Sequence, residues 1–289
     1  MLTMGEQNQG KLNWLQLHLP EGLLVDAAWL QRHGYSSALR VKYTSHRWLE
    51  QVIRGVYRRP SADKSEALRW QYAVISLQML LGSSFTVGGR TALELQGFAH
   101  YLSGHTREVH LYGTEKPPGW ASKLKQDARL VFHNTGRLFP LLAPVAQTDN
   151  HAAAGAAGQG VATETAGTGL IRQTWGHWEW PLILSSPERA ILELLDEVPN
   201  AETFHQADVL MEGLRNLSPR RLQTLLVECR SVKVKRLFLW FAERHNQPWL
   251  KGLNREPIDL GKGKRMLVRG GKLDPKYNIT VPENIDAGG

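Results

Sequence analysis

The sequence predicts a mixed α/β (α+β) protein in two parts, a winged helix-turn-helix over residues 1–60 and a larger α/β domain over residues 61–289. Three observations carry this. The first sixty residues hold three short helical segments, a glycine stop at Gly34 and two short β-type runs around Arg54-Gly55. Beyond them, β-type runs of three to five residues alternate with longer amphipathic segments. A chain of 289 residues with 42% hydrophobic residues and ten tryptophans is long and apolar enough for two cores.

In order, residues 11–19 (KLNWLQLHL) start a helix with Trp14, Leu15 and Leu19 as its apolar stripe. Residues 23–33 (LLVDAAWLQRH) read as a second helix, with Leu24, Ala28 and Leu30 inward. Gly34 ends it, as a glycine just past a helix does. Ser36 caps a third helix, Ser37 to His46. Leu49–Val52 and Val56–Arg59 follow as β-runs, and Pro60 closes the unit. The second part opens with an apolar helix, Ser65–Leu81, a strand, Phe85–Val87, and a helix, Arg90–Gly97. Glu108–Tyr112 and Leu130–His133 read as strands. Residues 146–170 are Ala/Gly/Thr-rich and predict a flexible insertion, too poor in apolar groups to order itself. A strand at Leu182–Leu184 leads into Ser185-Ser186-Pro187-Glu188. Serine cap, proline in the first turn and an early acid start a helix that runs to Glu197. Helices at 202–214, 219–230 and 232–245 follow, then a hairpin of Arg265–Val268 with Tyr277–Val281.

Charge is distributed unevenly. Residues 1–60 hold eight Lys/Arg against four Asp/Glu, and residues 61–217 hold twelve against sixteen. Residues 218–272 hold fourteen against four. Two basic segments therefore flank a mildly acidic middle, a pattern that attracts polyanions or simply solvates a surface. The single cysteine, Cys229, excludes an internal disulfide and a multi-cysteine zinc site, which suits a reducing cytosol. Residues 1–10 are polar and lack the apolar core of a signal peptide, and no apolar run approaches membrane-spanning length. These features predict a soluble cytoplasmic protein with no membrane partner.

On a helical wheel, Leu39 and Tyr43 share one face of the third helix, while Ser37, Val41, Thr44 and Ser45 occupy the other with Arg40 on the flank. An aliphatic side chain on that outer face can meet a thymine methyl, arginine can read guanine, and hydroxyls can meet base or phosphate. Lys42, Arg47, Arg54, Arg58 and Arg59 would grip phosphates on either side. Winged helices also serve as protein–protein modules, and Val41 could be buried against the following domain. In the C-terminal basic segment, Lys233, Lys235, Arg236, Lys262, Lys264 and Arg265 form a candidate second polyanion surface. The competing reading of the stretch around Lys233–Arg236 is a core helix with a wet end.

The signals for catalysis are weak. His100, His105 and His110 sit five apart, which does not stack ligands on one helix face. Gly88-Gly89-Arg90-Thr91 follows a strand and opens a helix, but it lacks the lysine and spacing of a phosphate loop and reads as a tight turn. Glu94, Glu188 and Glu193 would be the carboxylates of a metal-dependent nuclease, the enzymatic alternative. Cys229 sits in an apolar stretch and reads as core. The reading is a non-enzyme with no metal and no cofactor.

The segments RGVYRRP, VGGRTALELQGFAHYL, SSPERAILELLDEVP, VKVKRLFLWFAE and GKRMLVRGGKLDPKYNITVP occur in this order. With them the chain, from about Leu12 to Pro282 apart from residues 146–170, resembles the AbiEi antitoxins of type IV toxin–antitoxin systems. The resemblance implies autorepression through double-stranded operator DNA carrying inverted repeats, bound by the N-terminal winged helix. It also implies a C-terminal domain that counteracts a nucleotidyltransferase-like toxin, with no stable complex required. By position within the motif, Ser37, Arg40, Val41, Thr44, Arg54, Arg58 and Arg59 become the expected DNA contacts, beside Arg47 from the charge reading above.

Overall fold

The computed structural model describes residues 4–60, 68–98, 107–140, 163–165 and 168–285. The N-terminal unit runs α1 (Met4–His18), β1 (Leu24–Asp26), α2 (Ala27–Arg32), α3 (Ser37–Ser45), β2 (Glu50–Ile53) and β3 (Val56–Arg58). Its three strands pair antiparallel in the order β1-β3-β2, the topology of a winged helix. The segment expected to be one helix over 23–33 divides. Leu24–Asp26 forms a strand, because β3 needs a second partner and Leu23, Leu24 and Val25 are wholly buried there. Asp26 then caps α2, its Oδ1 accepting the Trp29 N–H at 2.7 Å, and Ala28 faces solvent rather than the core.

The turn between α2 and α3 follows from local chemistry. Gly34 adopts φ +82°, which a side chain would oppose, and donates its N–H to Gln31 O. Ser36 accepts the Leu39 N–H and starts α3. Leu15, Leu19, Leu30, Tyr35, Tyr43, Leu49 and Val56 form the core beneath. The Tyr35 hydroxyl donates to Lys11 O at 2.7 Å, so this buried phenol keeps a partner.

Helix α4 (Trp70–Met79) joins the two parts. It is apolar nearly all round, as a helix covered on both sides must be. On one side the Leu24 N–H donates to Ser76 Oγ at 2.7 Å and the Tyr72 ring closes over Gly22. On the other, Gln78 donates to Phe85 O and Ile183 O and accepts the Ile183 N–H. Residues 61–67, part of the expected helix, lie outside the described residues.

The second part centres on a six-stranded mixed sheet. Its strands are β4 (Thr86–Val87), β5 (Glu108–Gly113), β6 (Arg129–Asn134), β7 (Thr163–Thr165), β8 (Leu170–Trp175) and β9 (Trp180–Ser185), in the order β6-β5-β4-β9-β8-β7. Helix α5 (Gly89–Leu95) leaves β4, and α6 (Pro187–Glu197) leaves β9. Then come α7 (Phe204–Gly213), α8 (Pro219–Glu228), α9 (Val232–Arg244) and a hairpin of β10 (Lys272–Asp274) with β11 (Ile279–Val281). Two expectations change here. Residues 163–165 of the supposed insertion pair with 170–172 as β7, since backbone pairing to β8 needs no large side chains. Residues 146–162 lie outside the described residues. The closing hairpin uses Lys272–Asp274, not Arg265–Val268, although Arg265 still bridges Ile279 through the backbone.

One carboxylate fixes the centre of this part. Glu193, 0% exposed, accepts from the Gly89 N–H at 3.0 Å, Ser185 Oγ at 2.8 Å and Arg189 Nε at 2.8 Å. Arg189 in turn donates to Thr168 O and Thr135 Oγ1 and lies 4.5 Å from the Phe139 ring centroid. A Cβ at Gly88 would fall on the Glu193 carboxylate and the Tyr112 ring, so only glycine fits. Gly88→Ala should therefore destabilise the protein by about 1–3 kcal/mol. Urea denaturation checks this, and an unchanged midpoint would contradict the packing described.

Candidate nucleic-acid interface

Helix α3 presents two different faces. Tyr43 is buried and Leu39 half-buried against the winged-helix core, whereas Ser37, Val41, Lys42 and Ser45 point to solvent. Val41 is 68% exposed, so the alternative in which it packs against the second domain does not hold. Thr44 is half-buried and returns its hydroxyl to Arg40 O at 2.9 Å. Arg47 follows the helix, exposed and at φ +60°. Beside it Trp48, 37% exposed, lies against the His46 ring. Arg54 is exposed at the β2–β3 turn, where Gly55 takes φ +81°.

Arg40, Arg58 and Arg59 are instead engaged within the fold. Arg40 Nη1 donates to Tyr35 O at 3.0 Å and Ala27 O at 3.3 Å, tying α3 to the start of α2 and the turn. Arg59 Nη1 donates to Gln16 O at 2.8 Å and Leu19 O at 3.1 Å, closing the last turn of α1. Arg58 forms a two-pronged pair with Glu50 across the β2–β3 ladder, at 2.8 and 3.2 Å. Of the expected cations, Arg47 and Arg54 stand outward, joined by Lys42. Helix periodicity could not show this, because Arg40 reaches back across the α2–α3 turn to Tyr35 and Ala27, and the carbonyls that claim Arg59 lie about forty residues away.

The C-terminal basic segment also divides. Lys235 and Arg236 are 4% and 2% exposed. Arg236 donates to the carbonyls of Leu260, Gly261, Gly263 and Asn278, a clamp on the chain after α9. The Lys233 ammonium donates to Asp196 O and Val198 O at the end of α6, where cations suit the helix dipole. Burial lowers its pKa, opposed by the nearby Asp196 and Glu197 carboxylates. Lys262, Lys264 and Arg265 remain exposed.

The residues considered for chemistry are mostly engaged in contacts within the fold. Glu188 accepts the Ser218 N–H at 2.8 Å and Arg221 Nη1 at 2.7 Å, and Glu193 is held as described. Among the described residues, no group of His, Cys, Asp and Glu is placed to hold a metal ion. The Gly89 amide that could have cradled a phosphate serves Glu193 instead, and Arg90 pairs with Glu202. His100 and His105 lie outside the described residues. His110 is buried, its Nδ1 2.9 Å from His133 Nε2, and His133 Nδ1 lies 2.8 Å from Glu197 Oε1. Burial, with the neighbouring His133 and Arg90, pushes the His110 pKa down to about 4. Cys229 is 2% exposed and its thiol is pushed up to about 11 by burial, which leaves it unreactive. No described helix is long and apolar enough to cross a membrane.

Two family models together cover most of the chain. Residues 8–104 match the model of the AbiEi antitoxin N-terminal domain, a transcriptional regulator. Residues 106–282 match the model of the AbiEi antitoxin transcriptional regulators of type IV toxin–antitoxin systems. No curated protein matches the sequence. The crystal structure of the RV2827C protein from Mycobacterium tuberculosis is similar at a TM-score of 0.49 and 13% identity, over 95% of this chain and 90% of that one.

Two outcomes follow from these geometries. Arg40→Ala should destabilise the free protein by about 1–3 kcal/mol, since it leaves the Tyr35 carbonyl without its donor. A denaturation midpoint equal to wild type would show that Arg40 is not structural. His110 gives a pH dependence of known sign. Its folded pKa lies below the ordinary value near 6.5, so between about pH 6.5 and pH 4 the unfolded chain binds more protons. Stability is fully present above that window and falls through it as pH drops, by an amount on the order of 3 kcal/mol. Urea midpoints at pH 7.5, 6 and 5 check this. His110→Gln should flatten the slope, and an equally steep slope in the variant would assign it elsewhere.

Proposed function

The chain belongs to the AbiEi antitoxin family of transcriptional regulators from type IV toxin–antitoxin systems, and on that premise we propose that it represses its own operon through the winged helix. Helix α3 enters the major groove, with Ser37 and Val41 toward base edges and Lys42, Arg47 and Arg54 on the flanking phosphates. The observation that carries this is Val41. It is an aliphatic residue left 68% exposed between hydroxyl side chains, on the helix that winged domains present to DNA. Such exposure has a use where a thymine methyl can cover it.

Thr44 contributes at the edge of that face, and Arg58 supplies charge reduced by Glu50. Arg40 and Arg59 support the surface from beneath by holding the α2–α3 turn and the end of α1. Inverted-repeat DNA would be met by two copies of the chain. The second half of the proposal is that the C-terminal domain counteracts a nucleotidyltransferase-like toxin, with Lys262, Lys264 and Arg265 as its outward basic residues. Direct contact between the two proteins is not required.

Fluorescence-anisotropy titration against the chain's own upstream DNA, with scrambled DNA and two salt concentrations, tests the repressor half. Arg47→Ala and Arg54→Ala should weaken binding to both DNAs and each lower the salt slope by about 1. Val41→Ser should cost about 1–3 kcal/mol on the upstream sequence alone. Equal, weak binding of both DNAs by the wild type would overturn the reading.

A further inference from the structure

A cleft of about 420 Å³ opens in the second part of the molecule, and no winged-helix residue lines it. Four cations reach it from separate segments. Arg137 comes from the turn after β6, Arg230 from the α8–α9 junction, Lys233 from the first turn of α9 and Arg265 from the chain before the final hairpin. One carboxylate, Asp196, shares the cleft and lies 3.7 Å from Lys233 Nζ. Four cations against one carboxylate leave three positive charges uncompensated in a small concavity. Arg137 and Arg265 are exposed, and neither joins an ion pair among the described residues.

The backbone fixes where these charges stand. The Arg230 N–H donates to Leu138 O at 2.8 Å, which seats the α8–α9 junction on the turn carrying Arg137. Arg236 clamps the carbonyls of residues 260, 261 and 263. Arg265 exchanges backbone bonds with Asn278 and Thr280, at 2.9 and 3.0 Å. The arginine positions are therefore held by backbone bonds; the Arg230 guanidinium also donates to Gly136 O at 3.4 Å, while the exposed Arg137 and Arg265 side chains can close on a ligand. Val232, in the first turn of α9, also lines the cleft, so the positive end of this 13-residue helix meets it beside the carbonyl end of α6 that holds Lys233.

Guanidinium forks match phosphate oxygens in pairs, and the volume falls within the roughly 300–1,000 Å³ of small-ligand sites. We propose that this cleft binds the polyphosphate group of a free nucleotide, a ligand site separate from the DNA-reading surface and independent of it. Three uncompensated cations suit a di- or triphosphate better than a singly charged ligand, while Asn200 and Ser231 supply polar contacts at the walls.

The test is isothermal titration of the full chain with ATP, GTP and inorganic tripolyphosphate in metal-free, low-salt buffer. A single-stranded oligonucleotide forms a further arm, and melting curves confirm that each variant is folded. Saturable nucleotide binding is expected, displaced by tripolyphosphate and weakened about tenfold or more by Arg137→Gln and by Arg230→Gln. Arg220→Gln, which alters an exposed arginine outside the cleft, should bind like wild type. Should either cleft variant melt early, Arg265→Gln repeats the measurement. The absence of saturable binding by all three phosphate probes would overturn the proposal, as would binding that the cleft substitutions leave unchanged. A response confined to the oligonucleotide would overturn it too, making the cleft part of a nucleic-acid surface.

Discussion

The fully buried Glu193 carboxylate is the constraint on which the second domain depends. Its three donors come from β9, from the start of α5 and from its own helix, so one side chain sets the relative position of three elements. An unpaired carboxylate there would be costly, and each donor lowers that cost. Arg189 extends the connection to Thr135 and Thr168. Gly88 and Gly89 are small because this carboxylate and the Tyr112 ring occupy the space a side chain would take. A motif that resembles a phosphate loop is thus filled by an anion of the protein itself.

From that centre, α4 transmits order to the winged helix. Gln78 bonds to the sheet and Ser76 to β1, so the helix that covers one core also closes the other. Within the winged helix a similar economy governs arginine. Arg40 and Arg59 bond to backbone carbonyls, Arg58 pairs with Glu50, and Arg32, Arg47 and Arg54 face solvent. Net charge therefore overstates the cations free to meet a polyanion, both here and in α9, where Arg236 serves the fold.

The elements with strong local signals were legible in the sequence. Gly34 with Ser36, and Pro187, mark real helix boundaries, although the Ser186 hydroxyl makes no capping bond to α6, and the helices after β9 fall where periodicity places them. The family was legible as well, because five long segments appear in order. Illegible features depended on partners distant in sequence. Leu24–Asp26 is a strand because β3 lies beside it, and its three residues alone cannot be told from a helix start. Lys272–Asp274 replaces Arg265–Val268 in the hairpin for a related reason: Arg265 instead joins β11 from the other side. On α3, the wheel separated the Tyr43 face from the Val41 face correctly, yet gave no sign that Arg40 would fold back onto Tyr35 and Ala27. Arg137 and Arg230 drew no notice as isolated residues and become a pair only through the bond from Arg230 to Leu138.

The most direct test of the central claim is hydrogen–deuterium exchange of the full chain with and without its upstream DNA, at a salt concentration where binding is saturated. Protection should concentrate in α3, Ser37–Ser45, and around the Arg54-Gly55 turn, with the interior of α9 unchanged. Protection confined to the C-terminal basic segment, or none in α3, would contradict a DNA-reading winged helix.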